Sequence, residues 1–341
     1  MGATQRWKWW NNIKPIKTVD FPTLAIRPSN SVLDNKKIEK VQACNISEVL
    51  SFQSGLRVET DCQTCNYTQL RINGLSGGYS QILINGNQAI SLGAVTAGLE
   101  VFIGYPISPA TPILLWMEAN LVGEGKFVYQ SSSEIESITS LVGAGYAGKK
   151  AMTSTAGPGF SLMGEGIGLA WMAEIPCVVV NVQRGGPSTG LHTKTEQSDL
   201  LTALYPGHGD LKMPVIAPGT VEECFYAGLM SVNWAERYQG PVVLLSEMAL
   251  SERNQNIPKP DLSTDLAETR QVYQGDNGYL RYDGFELTPM PIPGQSGSYV
   301  ANGSEHDAMG DTTHLPSRHI QMTERRFSKL ECLFTLCLLK C

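Results

Sequence analysis

Arg184 closes the apolar run PCVVVNVQ and is followed at once by a loop containing Gly185, Gly186, Ser188, Thr189 and Gly190. A guanidinium at the end of a buried strand can grip a carboxylate with two parallel hydrogen bonds, in surroundings drier than the surface. The same arginine could instead tie its loop to a carboxylate such as Glu196 or Asp199, and spacing alone leaves both readings open. The string GPSTG, 186–190, also fits the GxSxG nucleophile elbow, with Ser188 as nucleophile and His306, His314 and His319 further on. That elbow needs its serine on a sharp turn entering a packed helix. Here the serine lies several residues past the strand, beside Pro187 and ahead of the polar LHTKTEQSD, so a serine hydrolase is only a distant alternative.

Three further stretches display polar groups after an apolar run. In SSSEIES, 131–137, Ser131 with Glu134 and Ser133 with Glu136 both stand at the spacing of a capping box. An acidic first turn that stabilises a helix therefore explains both glutamates without any catalytic role. In YPISPATP, 105–112, two prolines fix an extended turn and leave the hydroxyls of Ser108 and Thr111 displayed, which an ordinary rigid turn also accounts for. In STAGPGFSLMGEGIG, 154–168, Gly157, Pro158 and Gly159 fall at a strand-to-helix turn able to offer backbone N–H groups to a phosphate or another polar ligand. This loop is neither a GxGxxG nor a Walker lysine motif, and on its own it does not define a nucleotide site.

The elements that must hold these stretches are legible as an alternation. EVFIGY, KFVYQ, KAMTST, PCVVVNV, MPVIAP and PVVLLSE read as strands. NQAISLGAVTAGL, EIESITSLVGAGYAG, SLMGEGIGLAWMAE and TVEECFYAGLMSVNWAERY have helical spacing, the last opened by a Thr220–Glu223 capping box. Such alternation predicts an α/β fold with a doubly wound, mostly parallel sheet and helices on both faces. Ligands of open α/β sheets bind beyond the carboxyl ends of the strands, where all four stretches lie. Gly93, Gly98, Gly143, Gly145, Gly148, Gly164, Gly166 and Gly168 recur in the helical segments, each at a cost of up to about 1 kcal/mol relative to alanine. Close backbone packing, within the chain or with another subunit, is the expected compensation.

The 341 residues are enough for about two domains, and three regions differ in character. Residues 1–84 show no sustained period and have no clear fold, 85–262 form the α/β domain, and 263–341 begin as a Pro/Gly-rich linker. The closing run CLFTLCLLKC is too short to span a bilayer and reads as a chain cut before a next domain. A net charge of -6 spread along the chain argues against nucleic acid and against an anionic membrane surface as partners. The lack of a leader pattern or a long apolar run points to the cytoplasm. Of the eight cysteines, Cys62 and Cys65 form a lone CxxC, a weak metal signal, and free reduced thiols are expected.

Taken in order, YPISPATP, SSSEIES, STAGPGFSLMGEGIGLAWMAEIPCVVVNVQRGGPSTGLHTKTEQSDL and YPGHGDLKMPVIAPGTVEE resemble the pyrimidine-binding domain of the alpha subunit of 2-oxoacid:ferredoxin oxidoreductases, in particular the 2-oxoglutarate branch. The resemblance runs from about Gly86 to Leu262, continues more weakly to about Glu331, and does not reach 1–84. It implies a thiamine diphosphate enzyme that oxidatively decarboxylates a 2-oxoacid, 2-oxoglutarate in this branch, to an acyl-CoA and passes the electrons to ferredoxin. Glu134 matches the family glutamate that hydrogen-bonds the aminopyrimidine of the cofactor. Holding that ring nitrogen favours the imino tautomer, whose nitrogen can act as general base on the thiazolium carbon.

Ser108 falls at the hydroxyl position of the family's YPITP motif, near cofactor and substrate, with serine in place of threonine. Arg184 matches the arginine that holds the substrate carboxylate, and Thr193 a threonine of substrate recognition. The diphosphate and Mg2+ anchor of thiamine diphosphate enzymes, GDG followed at a distance by an asparagine, has no counterpart: GHGD and QGDNG are the nearest strings and neither fits. The resemblance thus implies a heterodimer in which a beta subunit supplies the diphosphate and Mg2+ site, an iron-sulfur cluster and the other wall of the active site. A non-catalytic binding or assembly subunit of such a complex is the alternative.

Overall fold

Each apolar run named above becomes a strand, and the helical stretches pack on alternate sides of the sheet those strands build. The computed structural model describes residues 56–62, 67–72, 81–275 and 278–333. In chain order the elements are Leu56–Cys62 (β1), Tyr67–Ile72 (β2), Gln81–Asn85 (β3), Gly86–Thr96 (α1), Val101–Gly104 (β4), Thr111–Asn120 (α2) and Phe127–Gln130 (β5). Next come Glu134–Tyr146 (α3), Ala151–Thr155 (β6), Gly157–Leu162 (α4), Gly164–Met172 (α5), Cys177–Gln183 (β7) and Leu200–Leu204 (α6). The series ends with Val215–Ile216 (β8), Val221–Tyr238 (α7), Pro241–Glu247 (β9), Met248–Glu252 (α8), Asn254–Pro258 (β10) and Pro316–Ser328 (α9).

The main sheet has six parallel strands in the order β5-β4-β6-β7-β9-β8. Strand β7 is central and buried along its whole length, as a parallel strand covered on both faces must be. Alternate residues sort to the two faces. Phe102, Met152, Val178, Val180, Val242 and Leu244 pack with α1, α2 and α7, whereas Ile103, Ala151, Val179, Val243 and Leu245 pack with α3, α4 and α5. The expected doubly wound α/β fold is the one that forms. A smaller sheet, β1-β2-β3-β10, is antiparallel, and in it β3 pairs with β10 from Asn85↔Asn254 to Gln81↔Pro258.

Local chemistry explains the boundaries. Thr220 and Glu223 form the expected capping box of α7, and Asn85 with Gln88 forms another at α1. The glycines of α1 and α7 let the two backbones touch: a Cβ on Gly93 would overlap the Phe225 carbonyl oxygen, and one on Gly228 the Ile90 carbonyl oxygen. Two expectations change. The stretch read as one helix from Ser161 is two, α4 and α5, broken at Met163 where Gly164 runs against the Pro206 carbonyl. The turn at YPISPATP also leads directly into α2, with Pro112 in its first turn, where a missing N–H costs no helical bond.

The stretch after Leu262 is largely irregular but is tied to the α/β core by buried charge. Glu174, just after α5 and in a left-handed conformation with φ 52, accepts from Arg325 Nε at 2.9 Å and Nη2 at 3.1 Å and lies 3.0 Å from Lys329 Nζ. Arg281 Nη1 is 3.9 Å away. These cations outweigh the penalty of burial and hold the Glu174 carboxyl far below the usual carboxylate range. Lys329 also donates to the Gln239 carbonyl at 2.8 Å, which anchors the end of α9 beside α7. Cys177, Cys224 and Cys332 are free thiols, and burial pushes Cys177 and Cys224 up to about 12.

Candidate active site

In this sheet the chain passes from β4 to β5 on one side and then crosses back to β6 on the other, so the crevice for a ligand opens between the carboxyl ends of β4 and β6. Four loops rim it: 105–110 after β4, 131–133 after β5, the Gly157 turn after β6, and 184–199 after β7. Asn87 at the start of α1 steadies the first of these, donating from Nδ2 to the Pro109 carbonyl at 3.1 Å.

The two capping assignments open for SSSEIES resolve differently. Ser133 is the N-cap of α3 and accepts from the Glu136 N–H at 3.1 Å. Glu136 turns back to the Ser132 N–H at 2.7 Å and the Tyr129 hydroxyl at 2.6 Å. Its bonds to Ser132, with help from Tyr129, draw its carboxyl down to about 2. Ser131 caps nothing: its hydroxyl bonds the Ser133 carbonyl at 3.1 Å and the Ser137 hydroxyl at 2.5 Å. Glu134 is therefore free of capping duty. It is the first residue of α3, only 7% exposed, and its carboxylate sits where the helix dipole favours negative charge.

Gly159 forms the floor beneath that carboxylate. A Cβ there would stand 2.6 Å from Glu134 Oε1 and would also overlap the Thr155 hydroxyl. Only a glycine leaves the carboxylate in place, and this is the use made of the AGPG turn after β6.

Arg184 extends from the end of β7 toward the same crevice and is 5% exposed. It donates from Nη1 to the Ser108 carbonyl at 2.6 Å and from Nη2 to the Thr189 carbonyl at 3.1 Å. Neither Glu196 nor Asp199 is its partner. Glu196 instead accepts from the Gly186 N–H at 3.1 Å, and Asp199 from Asn181 Nδ2 at 3.1 Å. Burial draws the Arg184 pKa down while the nearby Glu134 carboxylate opposes the shift, so the two charges share one electrostatic site. Of the five guanidinium N–H groups, two are used on carbonyls, and Nε is buried without a partner.

The structure thus brings together Glu134, Arg184 and the backbone of Ser108. Ser108 is exposed, and it is its carbonyl rather than its hydroxyl that joins the network. Thr193 is exposed on the 184–199 loop. Ser188 is exposed with φ 57, in a loop that does not enter a helix at that point. His306 packs on Tyr282, and His319 pairs with Glu305, which gives Ser188 no histidine partner among these two. Sequence reasoning read Gly159 as part of a turn offering backbone N–H groups rather than as the floor beneath Glu134, and it passed over Asn181 and Gln183. The signal for the last two was present: they are the polar pair, two residues apart, in an otherwise apolar central strand.

Fold and site together define an open α/β domain whose switch point is flanked by a buried carboxylate and a buried guanidinium. Residues 92–325 match the family model described as pyruvate flavodoxin/ferredoxin oxidoreductase, thiamine diphosphate-binding. A model of the TonB-dependent receptor plug domain also matches, over 24–145, and the two matches overlap over 92–145 only. The 2-oxoglutarate synthase subunit KorA of Methanocaldococcus jannaschii is 36% identical over 248 residues, 72% of this chain and 67% of that protein. The 2-oxoglutarate oxidoreductase subunit KorA of Mycobacterium tuberculosis is 38% identical over 270 residues, 75% of this chain and 40% of that protein.

Among solved structures, the 2-oxoglutarate:ferredoxin oxidoreductase from Magnetococcus marinus, with 2-oxoglutarate, coenzyme A and succinyl-CoA bound, superposes with a TM-score of 0.72 at 39% identity. The match covers 78% of this chain and 47% of that one. This chain belongs to the pyruvate flavodoxin/ferredoxin oxidoreductase family, as a thiamine diphosphate-binding domain of the 2-oxoacid:ferredoxin oxidoreductase alpha-subunit type. It spans about two thirds of the Methanocaldococcus relative and under half of the Magnetococcus chain.

Proposed function

We propose that this chain is the alpha subunit of a 2-oxoglutarate:ferredoxin oxidoreductase and binds the aminopyrimidine half of thiamine diphosphate. The observation that carries the reading is the placement of Glu134, a buried carboxylate at a helix amino end, left out of the cap and floored by Gly159. These residues fit the pyrimidine half of the cofactor: the carboxylate can hold a proton at a ring nitrogen, and the glycine clears the space beside it. The cofactor supplies, when bound, the nucleophilic carbon and the electron sink for decarboxylation. Glu134 would hold the proton of the ring nitrogen by hydrogen bonding, and so would favour the tautomer in which the ring can serve as a base. Arg184 offers its free N–H groups to the carboxylate of the oxoacid, which fixes the keto carbon against the cofactor and converts binding into positioning. Ser108 borders this contact, and Thr193, on the loop that Arg184 begins, recognises the rest of the substrate.

A beta subunit is part of the proposal, carrying the diphosphate and Mg2+ site and an iron-sulfur cluster, with coenzyme A as acyl acceptor and ferredoxin as electron acceptor. Among the described residues no group of three or more His, Cys, Asp or Glu side chains is placed to hold a metal ion. The surface next to Glu134 supports a closing partner. Ile135 and Leu162 are 56% and 53% exposed. Among the described residues no helix is long and apolar enough to cross a membrane, and a cytoplasmic location belongs to the same proposal.

The test is reconstitution with the cognate beta subunit, thiamine diphosphate, Mg2+ and coenzyme A, followed by ferredoxin reduction on a panel of 2-oxoacids. Turnover with 2-oxoglutarate is expected. A complex that assembles and turns over no oxoacid would overturn this reading in favour of a non-catalytic assembly subunit.

A further inference from the structure

The loop that carries Arg184 leaves β7 and returns to it fifteen residues later, and the return is held by side chains of the strand itself. Asp199 stands at the N-cap of α6 yet makes no side-chain capping bond there. Its carboxylate turns inward instead and accepts from Asn181 Nδ2 at 3.1 Å. Its N–H donates to Gln183 Oε1 at 2.9 Å, and Gln183 Nε2 donates in turn to the Ser246 carbonyl of the neighbouring strand at 3.2 Å. Asn181 and Gln183 are two residues apart on a strand and so point the same way, which makes them a two-pronged clamp on one residue.

The Asp199 carboxylate also lies against the turn that floors Glu134. A Cβ on Gly157 would stand 2.9 Å from Asp199 Oδ2, two residues before Gly159. Between the clamp and Arg184 the loop is closed by Gly185 N–H to Lys194 O at 2.9 Å, Leu191 N–H to Gly185 O at 2.8 Å and Gly186 N–H to Glu196 Oε2 at 3.1 Å. Contacts therefore run without a gap from Ser108 through Arg184 and its loop to Asp199, the Gly157 turn and Glu134.

We infer that Asp199 is a positioning residue for the substrate: clamped by Asn181 and Gln183, it fixes the far end of the Arg184 loop and thereby the direction in which the guanidinium meets the oxoacid carboxylate. This rests on the function proposed above for Arg184, and nothing in it requires Asp199 to touch substrate or cofactor. A half-buried carboxylate is used because a charged acceptor holds the Asn181 amide more firmly than a neutral one and leaves less slack in the loop. A misplacement of about 1 Å can cost around 100-fold, and the smaller slack left by losing one contact of the clamp is expected to cost about tenfold.

The experiment uses the full chain reconstituted with its beta subunit and compares wild type, Asp199→Ala, Asp199→Asn and Asn181→Leu. For Asp199→Ala, KM for 2-oxoglutarate is expected to rise about tenfold with kcat changed less than about threefold, and Asp199→Asn, which keeps an oxygen for Asn181, is expected to recover most of the loss. Asn181→Leu should reproduce the alanine effect from the other side of the clamp. Amide hydrogen exchange on the same variants reads the clamp without turnover: the amides of Gly185, Gly186, Leu191 and Lys194 should exchange faster, while those of β6 and β9 keep wild-type protection.

Unchanged exchange in the loop, or acceleration spread equally over β6 and β9, would overturn the inference whatever the activity shows. Unchanged KM in an active complex would overturn it while leaving the proposed function standing. An inactive wild-type complex would overturn the proposed function, and the exchange data would still decide whether Asp199 holds the loop.

Discussion

Gly159→Ala separates activity from stability in a way the geometry makes specific. The new Cβ would overlap Thr155 Oγ1 and fall 2.6 Å from Glu134 Oε1 and 2.7 Å from Glu134 Cγ, where ordinary contacts begin at 3.4 Å, so the Thr155 hydroxyl must move aside and the Glu134 side chain must retreat by roughly 0.8 Å. A displacement of about 1 Å at a catalytic group costs around 100-fold in rate. Gly159 lies within α4 and is not one of the glycines with positive φ, so alanine is acceptable to the backbone, and its gain of up to about 1 kcal/mol in helix propensity offsets part of the roughly 1–3 kcal/mol that crowding Thr155 and Glu134 costs. The expected outcome is a variant that melts within a few degrees of wild type and assembles with its beta subunit. Its kcat/KM for 2-oxoglutarate should be about 100-fold lower, and it should need more thiamine diphosphate for half-maximal activity. The assay is ferredoxin reduction at fixed oxoacid over a cofactor titration, with melting followed in parallel. Activity within about twofold of wild type at an unchanged cofactor requirement would refute the placement of Glu134 against the cofactor.

Arg184→Lys keeps the charge but loses the planar fork, and KM for the oxoacid is expected to rise about 10- to 100-fold with a smaller change in kcat; an unchanged KM would assign the arginine to holding its loop. Gly228→Ala drives a methyl into the Ile90 carbonyl at the α1–α7 crossing and should cost about 1–3 kcal/mol in urea unfolding, whereas Gly143→Ala, with open space at its Cβ, should be neutral or stabilising in the isolated chain. Burial lowers Lys329 to about 7 against the pull of Glu174, from 10.5 for a free lysine. The unfolded chain then binds more protons across that window, so this group makes stability rise from about pH 7 to pH 10 and is at its most costly below pH 7. Lys329→Met removes a cation beside Glu174 and the bond to the Gln239 carbonyl and should lower the melting temperature, by less near pH 6, where the buried ammonium is most costly, than near pH 9. A variant that loses stability equally at both pH values would contradict the charge balance drawn for Glu174.

Much of the architecture was legible because parallel strands buried on both faces leave continuous apolar runs, and all six runs named from sequence are strands of the main sheet. The α7 cap and the glycine packing of α1 were legible for the same local reasons. Helix α2 was hidden by prolines that read as a turn but are tolerated in the first turn of a helix. The two overlapping capping boxes at 131–137 could be separated only by knowing where α3 begins: with Ser133 as N-cap, Glu136 takes the capping role and Glu134 is released. Arg184 could equally have paired with Asp199, and the geometry gives Asp199 to Asn181 instead. The Glu174 cluster joins residues about 150 positions apart, a separation that no local pattern reports. The roles of Glu134, Ser108, Arg184 and Thr193 came from resemblance to a family. Physical reading adds why two of them are buried and what holds them.

The central claim is that Glu134 of this chain activates thiamine diphosphate for oxoacid decarboxylation. The most direct measurement is the rate of ferredoxin reduction with 2-oxoglutarate and coenzyme A by complexes of the cognate beta subunit with either wild type or Glu134→Gln. Glutamine fills the same space and keeps a hydrogen-bonding oxygen but cannot hold the charged tautomeric partner, so a fall of about 100-fold or more in kcat is expected, with assembly intact. A Glu134→Gln complex that reduces ferredoxin at the wild-type rate would contradict the account.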